Sequence, residues 1–237
     1  MIDRWKVLRA EMSMDGRLLG NTEPDVKLIG ITTVVSNNVV TGTMADVESQ
    51  VAQAAAVSSG VNPKDTSKLN KKLIDIGHHT PLEAVQYNFH ISGISKACSA
   101  QISRHRMSGH VSKSRRFQEA SLSFVYPLLD KVTNQTVAEN IYEIFSDQFT
   151  HSQNIYHHLR DNIEMTKTES RLVVPVSSAT ERIWWINARS LRNFLQLRLP
   201  ADAESEIRRL AYMITDVVYH ITPSLFEDIR DRYPQEV

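Results

Sequence analysis

Between Arg104 and Phe117 the chain carries Arg104, Arg106, Lys113, Arg115 and Arg116 beside two histidines and three serines, and no acid. Cations concentrated without local carboxylates cannot be packed as ordinary core, so the fold must leave them in solvent or turn them toward an anion. Arginine stays charged at any working pH and presents a planar fork of donors. Serine adds hydroxyls that donate or accept. The set suits a doubly or triply anionic small molecule, a nucleotide phosphate above all, better than a metal or a protein helix. A solvated basic face is the competing reading.

The rest of the chain bears on that choice. Lys+Arg and Asp+Glu balance at 27 each over 237 residues. The basic stretch is therefore a local concentration of charge in a neutral protein, which favours a pocket over a broad surface for nucleic acid. With 41% hydrophobic and 23% charged residues, the composition is that of a globular chain with one substantial core. The single cysteine, Cys98, excludes an intrachain disulfide and a cysteine-rich zinc site. A reducing cytoplasm is expected. No apolar run has membrane-spanning length, and the amino end lacks the apolar core of a signal peptide. No partner membrane or nucleic acid is expected.

Residues 1–25 are mixed and polar and read as an accessory lead-in; residues 26–237 read as the functional domain. A β-branched run over 26–35 predicts a strand. Thr43 is placed to cap a helix from Met44 to Gly60, and a turn at 63–65 leads to a helix closed by Gly77. Thr80, Pro81 and Glu83 have the spacing of cap, first turn and acid of a short helix. Val85, Tyr87, Phe89 and Ile91 alternate with polar residues, the period of a half-buried strand, which Gly93 is expected to break. A helix over 95–103 then delivers the basic stretch, where its cations could also serve the negative helix end. Long and short helices are expected over 136–162 and 167–174, a strand over 180–186, and a long helix from Glu204 to Tyr219, with Pro223 opening a short closing turn. His157 and His158 read as surface or packing residues.

The segment Asn187-Ala188-Arg189-Ser190-Leu191-Arg192-Asn193-Phe194-Leu195-Gln196-Leu197-Arg198 is the second informative stretch. Asn187 is placed to cap a helix, and Arg189 and Asn193, four apart, share a face. That edge can present donors and acceptors to a purine or flavin ring. No carboxylate lies a helical turn before Arg189, Arg192 or Arg198, unlike a plain charged helix surface.

Together these residues resemble the flavin-dependent thymidylate synthase family. Its Arg-His-Arg, seven residues, Ser signature is matched by Arg104-His105-Arg106 and Ser114. Upstream, His78-His79-Thr80-Pro81-Leu82-Glu83 resembles the family's His-x-Thr/Ser-Pro-x-Glu turn. Downstream, Asn187 through Arg198 resembles its Asn-x-Arg-Ser-Leu-x-Asn-Phe-x-x-x-Arg helix, and Ala203 through Arg208 its Ala-x-x-Glu-Ile-Arg. Motif and flanking context agree from about residue 26 to the C-terminus.

The resemblance implies a predominantly helical α+β single domain with a small, mostly antiparallel sheet, and a homotetramer whose sites lie between subunits. It implies methylation of dUMP to dTMP, with methylenetetrahydrofolate as carbon donor, NADPH as reductant and FAD as the bound flavin. By position, Ser58, His78, Thr80, Arg104, His105, Arg106, Asn187, Arg189 and Asn193 match FAD contacts. Gln101, Arg104, Ser112, Ser114, Arg115, Arg116, Arg171 and Arg198 match dUMP contacts, with Ser114, Arg115, Arg116 and Arg171 around its phosphate. Arg198 matches the arginine that polarises the pyrimidine, and no metal is implied.

The residue chemistry is compatible. Cys98, between Ala97 and Ala100 in a predicted helix, reads as packed core and not as a nucleophile. An arginine beside the pyrimidine could activate it without a thiolate. The chain departs from the family at Ser112, where an amide or carboxylate is usual, at Gly109 and Val111, where Ser and Asn are usual, and at Ala84. These positions surround the pyrimidine and phosphate, so a related reaction on another base, or with another one-carbon product, is the alternative. A histidine metal site lacks an accompanying His-Glu-x-x-His or carboxylate pattern.

Overall fold

The computed structural model of the protein describes residues 23–32, 35–36, 39–40, 44–60, 64–114, 116–117, 123–127 and 132–234. In chain order the elements are β1 (Asp25–Ile31), β2 (Val35–Ser36), β3 (Val39–Val40), α1 (Met44–Ser59), α2 (Thr66–Asp75), a 3-10 turn (Thr80–Ala84), β4 (Gln86–Ser95) and α3 (Lys96–Ile102). Then come β5 (Ser108–Ser112), α4 (Gln135–Asp161), α5 (Lys167–Ser170), a 3-10 turn (Arg171–Val173), β6 (Ala179–Asn187), α6 (Ala188–Arg198), α7 (Ser205–Ile221) and α8 (Pro223–Arg232). The α+β class is as expected. The chain forms two compact units: a sheet unit of Pro24–Ser92, Cys98–Ser112 and Glu181–Val237, and a helical unit that includes Gly93–Ala97 and Lys113–Thr180.

The sheet has the order β1-β4-β6-β5. β1 pairs antiparallel with β4, with an irregularity between Leu28 and Gly30, and β5 pairs antiparallel with β6, from Ser108↔Ile186 to Ser112↔Arg182. Alternation along β4 puts Tyr87, Phe89 and Ile91 into the core, and alternation along β6 does the same for Arg182, Trp184 and Ile186. Core side chains of α6 (Leu191, Phe194, Leu195), α7 (Ile207, Leu210, Ile214, Val218) and α8 (Leu225, Phe226, Ile229) recur at helical spacing. An aromatic row runs from Phe226 through Tyr87, Phe89, Trp184 and Phe194 to His105, with successive centroids 5.9, 6.1, 6.0, 5.1 and 4.9 Å apart. Such ring pairs add specific geometry to the buried area.

In the helical unit, Asn134 caps α4 by accepting from the Val137 backbone N–H at 3.2 Å. Phe149 of α4 stacks on Phe124 at 4.3 Å, and Tyr142 stacks on Tyr126 at 4.1 Å. Thr166 and Glu169 form a capping box at the start of α5.

Several local expectations need correction. Gly93 does not end β4: it takes φ 68°, which glycine tolerates, and the strand continues to Ser95. Thr80 is not a cap; the 3-10 turn starts after His79 without a side-chain cap bond. Asp65 caps α2 instead of closing a turn, accepting from the Lys68 N–H at 2.9 Å. Pro223 opens a ten-residue helix, because proline is well suited to a first helical turn and Leu225, Phe226 and Ile229 supply an inward face. The basic stretch contains the strand β5, which periodicity did not disclose. The expected cap Thr43, the turn at Pro63, the end of the first strand at Thr33 and Val34, and nearly all of the lead-in lie outside the described residues.

Candidate functional site

α3 ends at Ile102, and two further turn hydrogen bonds, Arg104 N–H to Gln101 O and His105 N–H to Ile102 O, both 3.1 Å, carry the chain into Arg104-His105-Arg106. Ser108 Oγ then donates to the His105 carbonyl at 2.6 Å, and β5 begins. Arg104 and Arg106 are exposed. Among the described residues neither enters an ion pair, so both guanidinium groups keep their donors for another partner.

His105 and Arg198, 93 residues apart in sequence, meet at the far end of α6: Arg198 Nε donates to His105 Nε2 at 3.2 Å. A guanidinium N–H can only donate, so Nε2 is the unprotonated nitrogen and Nδ1 carries the hydrogen. Burial, and then the charge of Arg198, push His105 down to about 4, so the ring is neutral near pH 7. Among the described residues Arg198 has no carboxylate partner, and its terminal fork is uncommitted.

The near end of α6 is organised by Asn187, whose Oδ1 accepts from the Ser190 N–H at 2.9 Å, the cap expected from the sequence. The Ala188 N–H donates to Val85 O at 2.9 Å, joining α6 to the end of the Thr80–Ala84 turn. Across that junction Arg189 Nη1 pairs with Glu83 Oε1 at 2.6 Å. Thr80, His78 and Asn193 are exposed, and so is Ser58, whose Oγ donates to Ala55 O at 2.9 Å. Gln101 donates to Glu204 through its amide.

Arg189 and Arg192 of α6 thus do have acid partners, contrary to what the local sequence suggested, and these acids come from distant segments. Arg192 is buried and bonded bidentately to Asp228 at 2.7 and 2.6 Å, and it also donates to Leu225 O. Burial pushes the Asp228 carboxyl up, but the hydrogen bonds and charge of Arg192 outweigh it and hold the group below the usual range. Arg192 ties α6 to α8 and is structural.

In the helical unit, Ser114 Oγ accepts from the Arg116 N–H at 3.3 Å, and Arg171 Nε donates to Thr168 O at 3.1 Å. Arg115 lies outside the described residues. Ser112, on the sheet unit, is the β5 partner of Arg182.

The chain is matched over residues 39–224 by the family model described as "Thymidylate synthase complementing protein". It belongs to the flavin-dependent thymidylate synthase family. A flavin-dependent thymidylate synthase of Pseudothermotoga lettingae is 31% identical over 189 residues, which cover 76% of this chain and 85% of the relative. The corresponding protein of Kosmotoga olearia is 30% identical over 195 residues, 74% of this chain and 82% of the relative. That of Sulfolobus acidocaldarius is 30% identical over 151 residues, 64% and 56% of the two chains.

A flavin-dependent thymidylate synthase has to hold a flavin, and the donor set fits one. Arg104 and Arg106 are cations without carboxylates among the described residues, suited to a diphosphate, and the exposed edge of α6 carries Arg189 and Asn193. Among the described residues no three His, Cys, Asp or Glu side chains are grouped to hold a metal, and no helix is long and apolar enough to cross a membrane.

The functional reading of the sequence missed Arg182. It is 1% exposed, and its Nη1 donates to Ser99 O at 2.6 Å and Ser99 Oγ at 3.2 Å. Nη2 donates to Ser103 Oγ at 3.2 Å, and Nε has no partner. Arg182, not Arg104, therefore serves the last-turn carbonyl of α3. The signal was present: in the alternation of β6 a lone cation stands in register with Trp184 and Ile186, on the inward face.

Proposed function

We propose that this chain converts dUMP to dTMP, with methylenetetrahydrofolate as carbon donor, NADPH as reductant and FAD as bound flavin, without a cysteine nucleophile. The observation that carries the reading is the Arg198–His105 hydrogen bond, which joins the Arg-His-Arg segment to the Asn187–Arg198 helix. When bound, FAD supplies hydride and one-carbon transfer chemistry; the chain supplies position and charge.

Arg104, His105, Arg106, Asn187, Arg189 and Asn193, with Ser58, His78 and Thr80, would hold the flavin. Gln101, Arg104 and Ser112 would contact the nucleotide, and Ser114, Arg115, Arg116 and Arg171 its phosphate. Arg198, its Nε fixed by the neutral His105 ring, would turn its terminal fork to the pyrimidine and stabilise negative charge developing on N3 and O4. Cys98 is 1% exposed, and burial pushes its thiol well above the ordinary range, so it stays protonated and unreactive near neutral pH. We place residues 26–237 in the catalytic domain, the enzyme in the cytoplasm, and its sites between the subunits of a homotetramer.

One observation favours a second pyrimidine or one-carbon product: at Gly109, inside the signature, an added Cβ would lie 2.1 Å from Trp185 Nε1, so an indole fills the side-chain space there. Turnover of dUMP against dCMP separates the two readings. The proposal itself is tested by colour. The purified protein should be yellow, or become so with added FAD, and bleach anaerobically with NADPH; protein that takes up no flavin would overturn it.

A further inference from the structure

We propose that Arg182 is a positioning residue for the Arg104–Arg106 segment, a buried guanidinium that fixes the last turn of α3 and thereby sets where the motif side chains leave the fold. The inference rests on the proposed function, because it assigns Arg182 a role in placing the groups that would hold the flavin.

The argument starts from cost. Taking a guanidinium out of water without a carboxylate is unfavourable, and apolar side chains of similar volume usually pack such positions at least as well. Arg182 is almost fully buried on the inward face of β6 between Thr180 and Trp184, and among the described residues no acid pairs with it. Core packing alone does not account for a cation there. What the cation does is visible in its bonds. It grips Ser99 by carbonyl and hydroxyl and Ser103 by its hydroxyl. Ser99 lies in the last turn of α3, whose carbonyl end carries partial negative charge and favours a cation. Ser103 is followed directly by Arg104.

The second anchor is on the strand. Arg182 is the register partner of Ser112 in the β5·β6 pair. A single β6 residue thus meets the chain immediately before Arg104 and again at the end of β5. The Arg182 guanidinium holds the start of the segment from Arg104 to Val111 through Ser103, and the Arg182 backbone is in register with Ser112 just past the end, while the guanidinium groups of Arg104 and Arg106 enter no ion pair among the described residues. The Arg182 guanidinium acts through Ser99 and Ser103, which are its hydrogen-bond partners.

The experiment compares wild type, Arg182→Met, Arg182→Lys and Ser103→Ala as full chains, reading the FAD dissociation constant by calorimetry and the thermal midpoint separately. Displacement of a binding group by about an ångström costs up to about 100-fold, so Arg182→Met should weaken FAD binding on the order of 10- to 100-fold. Its midpoint should stay level or rise, because an uncompensated buried charge is removed and Ser103 Oγ still donates to Ser99 O at 3.0 Å. Arg182→Lys should recover part of the affinity, keeping the charge but not the fork. Ser103→Ala, which removes one hydroxyl, should weaken binding several-fold at an unchanged midpoint, and it decides the matter if Arg182→Met does not fold. A lowered midpoint with wild-type FAD affinity in the variants would overturn the positioning role and leave the proposed function standing. Wild-type protein that binds no FAD would overturn both.

Discussion

His105 makes a quantitative demand on the pH dependence of stability. Its ring is half-buried, packed edge-on against Phe194, and accepts a hydrogen bond from Arg198 that only the neutral form can accept. Burial first, and then Arg198, lower its pKa from 6.5 to about 4. The folded state therefore resists a proton that the unfolded chain accepts. The contribution is fully present above pH 6.5 and is lost as pH falls from there toward 4, since the unfolded state binds more protons in that window. At about 1.36 kcal/mol per pH unit the full depression corresponds to about 3.4 kcal/mol. Solvent reaching the ring reduces the expected value to about 2 kcal/mol. The perturbation is His105→Gln, whose side-chain carbonyl can accept from Arg198 but does not titrate. Urea unfolding between about pH 5 and 8, followed by tryptophan fluorescence, reports through Trp184 and Trp185 on the same unit. Wild type should lose more stability than the variant on acidification, by a margin approaching about 2 kcal/mol at the lowest pH. Parallel curves would refute the neutral, Arg198-bonded ring.

Two further outcomes follow from the packing. Gly109→Ala places a Cβ 2.1 Å from Trp185 Nε1 and 2.3 Å from its Cε2. It should destabilise the fold by about 1–3 kcal/mol in chemical unfolding, with most of the loss recovered in the double variant with Trp185→Thr. Asp228→Ala leaves Arg192 buried without its carboxylate and should cost about 3 kcal/mol by the same assay, whereas Arg192→Met with Asp228→Leu should fall within about 1 kcal/mol of wild type.

How far the sequence disclosed the fold varies by element. The strand of β4 and the helix of α6 were legible because period and cap agreed: Tyr87, Phe89 and Ile91 alternate inward, and Asn187 caps as its side chain suggests. β5 was not, because Ser108-Gly109-His110-Val111-Ser112 has no apolar alternation, and its partner strand, with Trp185 opposite Gly109, lies far along the chain. Pro223 opens α8 where the sequence predicts only a short closing turn, although Leu225, Phe226 and Ile229 carry a helical apolar face.

For the candidate site, the Arg-His-Arg segment and the Asn187–Arg198 helix were both found, but the contact between them was not. Arg198 meets His105 only through a tertiary fold that no local rule contains. The absence of nearby acids misled for Arg189 and Arg192, whose carboxylates, Glu83 and Asp228, stand 106 and 36 residues away. Arg182 is not among the candidate residues read from the sequence, although the alternation of β6 puts it on the inward face with Trp184 and Ile186.

The most direct test is product formation. Purified protein supplied with FAD, dUMP, methylenetetrahydrofolate and NADPH should form dTMP, identified by chromatography, and Arg198→Ala should abolish it while Cys98→Ala does not. Turnover that disappears with Cys98→Ala but survives Arg198→Ala would contradict an account in which guanidinium charge, not a thiolate, activates the pyrimidine.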